Sequence, residues 1–186
     1  MDIKDLLKDL SNPDDEVLSN TPARFVKVLQ ELIGAYKEPP PELRTFHCPE
    51  ASGTLILKQD IRAASLCPHH LLPYILVADF AYVPNDYVVG LSKPGRLFRW
   101  VAGRLTLQEA LGPLMLKEFM KQVDCRGAAI RVRGWHQCET IRGAKQSTVI
   151  TTTLDSCGIF NGFDGISRDL KDTFIKLISN GKEQLW

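Results

Sequence analysis

A chain of 186 residues can bury one sizeable core with an appended helical segment, and two full domains would strain it. With 23 Lys plus Arg against 22 Asp plus Glu the formal charge is +1, which excludes bulk attraction to nucleic acid or to an anionic membrane and makes any basic site a local one. No apolar run approaches the roughly 20 residues needed to span a bilayer, MDIKDLLKDL is acidic and amphipathic rather than a signal peptide, and the cysteine count is odd; the expectation is a cytoplasmic protein with reduced thiols or thiolate ligands.

In chain order, Ile3, Leu6, Leu7 and Leu10 recur at helical spacing behind Asp2, a suitable N-cap. A second helix is predicted from Thr21 as cap and Pro22 as first helical residue, with Phe25, Val28, Leu29 and Leu32 as its apolar face and Gly34 as its end. KEPPPELRTFHCPEASG reads as a loop, because three successive prolines neither continue a helix nor donate to a sheet. Strands are predicted near Gly53 to Lys58, Leu76 to Val83, Ala128 to Cys138 and Thr148 to Leu154, from β-branched and aromatic residues in partial alternation, and they should pair antiparallel. Between the second and third lies a helical region from about Pro94 to Val123, broken near Gly103, with Thr106 and Glu109 spaced like a capping box. A last helix begins near Ser167 and carries Leu170, Phe174, Leu177 and Ile178. The pattern is α first, then mixed: an α+β fold.

Chemistry concentrates in SLCPHHLLPY, where Cys67, His69 and His70 stand together in a chain with four histidines. Pro68 favours the first position of a helical turn, in which Cys67 and His70 can face one point while His69 looks elsewhere. In GAAIRVRGWHQCETIRG the even positions Ile130, Val132, His136 and Cys138 share one face of a strand, opposite Arg131, Arg133 and Trp135. Two cysteines and a histidine are soft and borderline donors suited to Zn²⁺, and three protein ligands leave a position open, as in catalytic sites. The candidate ligands are Cys67, His70 and Cys138, with His69 and His136 beside the metal but unbound. A closed structural site using one more histidine, or plain buried thiols, would show the same spacing.

The series SLCPHHLLPY, AYVP, VVGLSKPGR, a helix containing LQE, HQCETIRG and TTTL, with TPARFVK upstream, resembles the ordered motifs of the GTP cyclohydrolase I family from about residue 10 to about residue 160. The resemblance implies a tunnelling fold over residues 41–186, preceded by a helical segment over residues 1–40, and assembly in rings, commonly a decamer of two pentamers. It also implies conversion of GTP and water to 7,8-dihydroneopterin triphosphate and formate, the entry to tetrahydrofolate and other pterins. The family's zinc ligands fall on Cys67, His70 and Cys138, and its catalytic histidines on His69 and His136. Glu109 matches the carboxylate that reads the guanine edge, and Gln108 a neighbouring site position. As a helix cap with Thr106, Glu109 could not fill that role at the same time. Ser92, Lys93, Arg96 and Arg142 resemble ribose and triphosphate contacts, and Arg24 with Lys27 a cation pair supplied by a neighbouring subunit. Pro68 departs from the family, which has a glutamate there, and so do Ile75 and Thr106; none of these removes a ligand or a proton-transfer residue. Two other readings stay open: an enzyme of the same zinc chemistry with a different pterin product, and a non-catalytic protein on the same scaffold.

Overall fold

A computed structural model of the chain describes residues 2–10, 14–162 and 164–179. Helices α1 (Ile3–Leu10) and α2 (Asp15–Ile33) come first. They are followed by β1 (Thr45–His47), β2 (Ile56–Leu66), β3 (Pro73–Pro84), β4 (Tyr87–Val89), α3 (Lys93–Ala102) and α4 (Gln108–Gln122). The chain continues through β5 (Cys125–His136), α5 (Gln137–Thr140), β6 (Thr151–Gly158) and α6 (Gly165–Ser179). The long strands form a four-stranded sheet in the order β2-β3-β5-β6, each neighbouring pair antiparallel, as expected for an α+β fold.

Both faces of the sheet are covered, which explains why YILVADFAYV in β3 is almost continuously apolar. Leu76, Ala78, Phe80 and Tyr82 of β3, with Ala128, Ile130 and Val132 of β5, pack under Leu97, Phe98 and Val101 of α3 and Leu111, Met115 and Phe119 of α4. On the other face Ala81, Val83 and Ala129 meet Phe160 and, from α6, Phe174 and Ile178. That second face also carries charge. Asp79 is buried, and its Oδ2 accepts from Arg131 Nε at 3.0 Å and Nη2 at 2.7 Å. Arg131 Nη2 also donates to the Ile178 carbonyl at 2.8 Å, and the Asp60 amide donates to Asp79 Oδ1 at 3.2 Å. Arg133 lies 3.5 Å from Asp60 and 3.7 Å from Asp79. The last helix is thus latched to the sheet by packing and by a charge-assisted bond.

Several expectations from sequence are corrected. α2 starts at Asp15, and its cap is Asp14, whose Oδ1 accepts from the Val17 amide at 2.9 Å; Pro22 lies inside the helix. The acidic run Asp14, Asp15 and Glu16 suits the positive end of the helix dipole, and Pro22 removes a single interior bond. No capping box forms at Thr106 and Glu109: Leu107 is the N-cap of α4 and no side chain caps it. The predicted loop contains a strand, β1, which pairs with β4 and is too short to show alternation. β2 runs on to Leu66 through an irregularity between Lys58 and Ile61, where Asp60 takes φ 56°. Cys138 lies not on a strand but on the helical turn α5, because β5 ends at His136.

The amino-terminal segment is tied to the helical layer. Tyr36 Oη donates to the Leu105 carbonyl at 3.1 Å, Trp100 Nε1 to the Glu38 carbonyl at 3.0 Å, and the Arg104 guanidinium lies 3.9 Å over the Trp100 ring. α2 itself has no buried residue, and Phe25, Val26 and Val28 are exposed. Among the described residues no helix is long and apolar enough to cross a membrane.

Removing one partner of a buried ion pair strands the other charge, at about 3–5 kcal/mol. Asp79→Ala should therefore lower stability by about that amount, whereas Glu16→Ala, which removes an exposed pair with Arg24, should change it by less than about 1 kcal/mol. Urea unfolding of both variants at one fixed protein concentration measures the contrast.

Candidate active site

The tip of the β2–β3 hairpin is a closed turn. The Leu71 amide donates to the Cys67 carbonyl and the Cys67 amide to the Leu72 carbonyl, both at 2.9 Å. Leu71 ends the turn with φ 53°, a left-handed conformation in which glycine is usual. Pro68 enters where a missing N–H is harmless, and one helical turn brings Cys67 Sγ to 3.8 Å from His70 Nδ1. Cys138 arrives from α5. The donor atoms of Cys67, His70 and Cys138 all lie within 4.8 Å of one another, and among the described residues no other group of His, Cys, Asp and Glu could hold a metal ion.

These three residues fit zinc. Tetrahedral bonds of about 2.3 Å to sulfur and about 2.0 Å to nitrogen separate the two donors by about 3.5 Å, close to what the Cys67 and His70 side chains already adopt. Burial, and then the Cys67 thiol beside it, push the Cys138 thiol up; a cation between the two sulfurs would reverse that. His69 is exposed, its ring at 78° to that of His70 with centroids 6.2 Å apart, and it is not part of the group whose donor atoms converge.

His136 closes β5 directly opposite Tyr74 on β3, and the two rings stack at 4.4 Å and 8°. Tyr74 is buried and its phenol donates to the Thr106 carbonyl at 2.8 Å; burial raises its pKa, so it stays a donor. Burial lowers the His136 pKa, keeping the imidazole neutral and able to take a proton at neutral pH. His136 Nε2 lies 2.8 Å from Gln108 Oε1 at the start of α4.

Cys67, His69, Tyr74, Gln108, Glu109, His136 and Cys138 line one cleft of about 190 Å³. That is smaller than the roughly 300–1,000 Å³ of sites that enclose a ligand. Ser92, Lys93, Arg96, Arg142, Arg24 and Lys27 do not line it within one chain. Ser92 and Lys93 sit at the start of α3, and Arg142 is exposed in the turn after α5. Arg96 borders a separate cleft of about 930 Å³ between the end of α2, Pro39 to Pro41 and α3. Arg24 pairs with Glu16 at 2.9 Å and Lys27 approaches Glu31 at 4.0 Å, both on the exposed surface. Sequence reasoning does not single out Tyr74 or Gly134, since their part depends on strand register.

The model of the family described as GTP cyclohydrolase I matches residues 1–178. The chain belongs to the GTP cyclohydrolase I family. Proteins named GTP cyclohydrolase 1 from Pyrobaculum aerophilum and Campylobacter jejuni are similar to it. The first is 41% identical over 140 residues, 74% of this chain and 73% of the relative. The second is 35% identical over 173 residues, 92% of this chain and 89% of the relative. A crystal structure of the archaeosine synthase QueF-Like in the apo form aligns over 57% of this chain and 96% of its own, at 18% identity and a TM-score of 0.45, a likeness too slight to assign a fold. As a member of the GTP cyclohydrolase I family, the chain is an enzyme.

Tyr74→Phe keeps the ring on His136 but leaves the Thr106 carbonyl without its donor, so stability should fall by about 1 kcal/mol. Thermal unfolding of the variant beside the parent protein checks this.

Proposed function

We propose that this chain is a zinc-dependent GTP cyclohydrolase I that converts GTP and water to 7,8-dihydroneopterin triphosphate and formate in the cytoplasm, at the entry to tetrahydrofolate and pterin synthesis. The observation that carries the proposal is the meeting of Cys67, His70 and Cys138, of which Cys67 and Cys138 line one cleft with His69, His136 and Glu109, in a chain of this family. When bound, zinc supplies a Lewis acid that makes water a usable nucleophile near neutral pH. Cys67, His70 and Cys138 hold it. His136, neutral and anchored, takes and returns a proton as the purine ring opens, and the exposed His69 serves the second proton path at the mouth of the cleft. Glu109 is free to accept from the N–H groups of guanine, since it caps no helix. Ser92, Lys93, Arg96 and Arg142 hold the ribose and triphosphate, for which guanidinium forks are suited.

The site is completed by neighbouring copies in a ring of tunnelling-fold subunits, a decamer of two pentamers. Three features support assembly: among the described residues β2 and β6 stand at the edges of the four-stranded sheet, α2 exposes an apolar stripe, and the cleft of one chain is undersized. Arg24 and Lys27 reach the triphosphate of an adjacent subunit.

Purified protein should hold about one Zn²⁺ per chain, and Cys138→Ser should lose zinc and activity together under chelator challenge. His69→Ala and His136→Ala should keep their zinc and lose turnover by about 10²- to 10⁴-fold. Metal analysis, with formate and oxidised pterin measured from GTP, reads both. Full zinc occupancy in Cys138→Ser, or zinc loss in both histidine variants, would sink the ligand assignment. For the shared site, inactive Arg24→Ala/Lys27→Ala chains and inactive His136→Ala chains, unfolded and reassembled together, should regain activity. Mixed oligomers without activity would place the two cations outside a neighbour's site.

A further inference from the structure

Gln108 is 2% exposed, and its amide is committed on every side. The amide Nε2 lies 3.1 Å from the Val132 carbonyl and 2.9 Å from the Thr151 carbonyl, while Oε1 faces His136 Nε2 at 2.8 Å. An amide's oxygen and nitrogen have nearly the same shape, so the partners decide which is which. Backbone carbonyls can only accept. The NH₂ group must therefore face Val132 and Thr151, and turning the amide over would set its oxygen against two carbonyl oxygens in a dry site. Oε1 is then fixed opposite the imidazole and can itself only accept, so the hydrogen in that contact belongs to His136 Nε2.

We propose that Gln108 is a positioning residue that holds the His136 ring with its Nε2–H on Gln108 Oε1, leaving the Nδ1 lone pair free. A neutral imidazole carries a single N–H, so fixing it at one nitrogen frees the lone pair at the other. Two further features keep the arrangement in place. A Cβ at Gly134 would overlap Gln108 Oε1 and stand 3.0 Å from His136 Nε2, so glycine there makes room for the pair. The Tyr74 ring stacked on His136 leaves the imidazole no room to swing out of its plane and exchange its nitrogens. Both amide hydrogens of Gln108 are occupied by the backbone, so its part differs from the direct substrate contact that the family resemblance implies. The catalytic half of this inference rests on the proposed function; the tautomer does not.

The test is ¹⁵N magic-angle-spinning NMR of zinc-loaded protein labelled at its four histidines, with His136→Ala identifying the resonances. The proton is expected on His136 Nε2 at neutral pH; a proton on Nδ1, or a mixture of tautomers, in the parent protein overturns the proposal without any variant having to fold. Gln108→Leu should show mixed tautomers, a kcat for GTP lower by about 10- to 100-fold, and a nearly unchanged KM. In a His136→Ala background the same change should cause no further loss. A raised KM with unchanged kcat would instead make Gln108 a substrate contact and overturn the positioning role. An Nε2–H signal in a protein that leaves GTP intact would support the tautomer and count against the proposed function alone.

Discussion

Across the central ladder Tyr74 faces His136, Asp79 faces Arg131 and Phe80 faces Ile130. Side chains alternate along a strand, so this one register sends Phe80 and Ile130 into the core beneath α3 and α4 and sends Asp79 and Arg131 to the α6 face. A slip by one residue would drive a carboxylate and a guanidinium into the apolar layer and part the stacked rings of Tyr74 and His136. Charge burial on one face and ring stacking at one end thus favour the same pairing. The hairpin tip that carries Cys67 and His70 continues β3, and α5, which carries Cys138, continues β5. Their meeting follows from the same register.

α4 adds the remaining constraint. Its first residue, Gln108, lies where the β5–β6 ladder ends, since Gly134 pairs with Thr151 in the last rung. The Gln108 amide reaches the Thr151 carbonyl of that rung and the Val132 carbonyl on β5. The helix is therefore positioned against the sheet by specific donors at one end and by Leu111, Met115 and Phe119 along its buried side. Apolar packing fixes distance, and the amide fixes rotation.

Much of this is legible in the residues themselves. Pro68 announces the turn that turns Cys67 and His70 together, and alternation through Ile130, Val132 and His136 points to the same end of the sheet. Alternation also misleads, because it carries on to Cys138 after the backbone has begun a helical turn, yet the side chain reaches the same place by another route. The start of α2 is misread because Thr21-Pro22 is as good a local signal as Asp14-Asp15, and only the finished helix shows which prevails. Gln108 is the least legible. Its partners stand 24, 28 and 43 residues away, and a glutamine beside a glutamate looks like part of the same polar patch. Arg24, Lys27, Arg96 and Arg142 are exposed and lie outside the cleft of one chain, so neither the pattern of residues nor the fold of one chain assigns them a place in it.

The Gln108 anchors have one more implication. They are a histidine and two main-chain carbonyls, none of them a donor in the Cys67, His70 and Cys138 group. The Gln108 contacts therefore tie His136 to the sheet backbone independently of the turn that carries Cys67 and His70, while Cys138 follows two residues after His136 on α5. A substitution in the Cys67 and His70 turn would then leave the imidazole its amide anchor on the sheet.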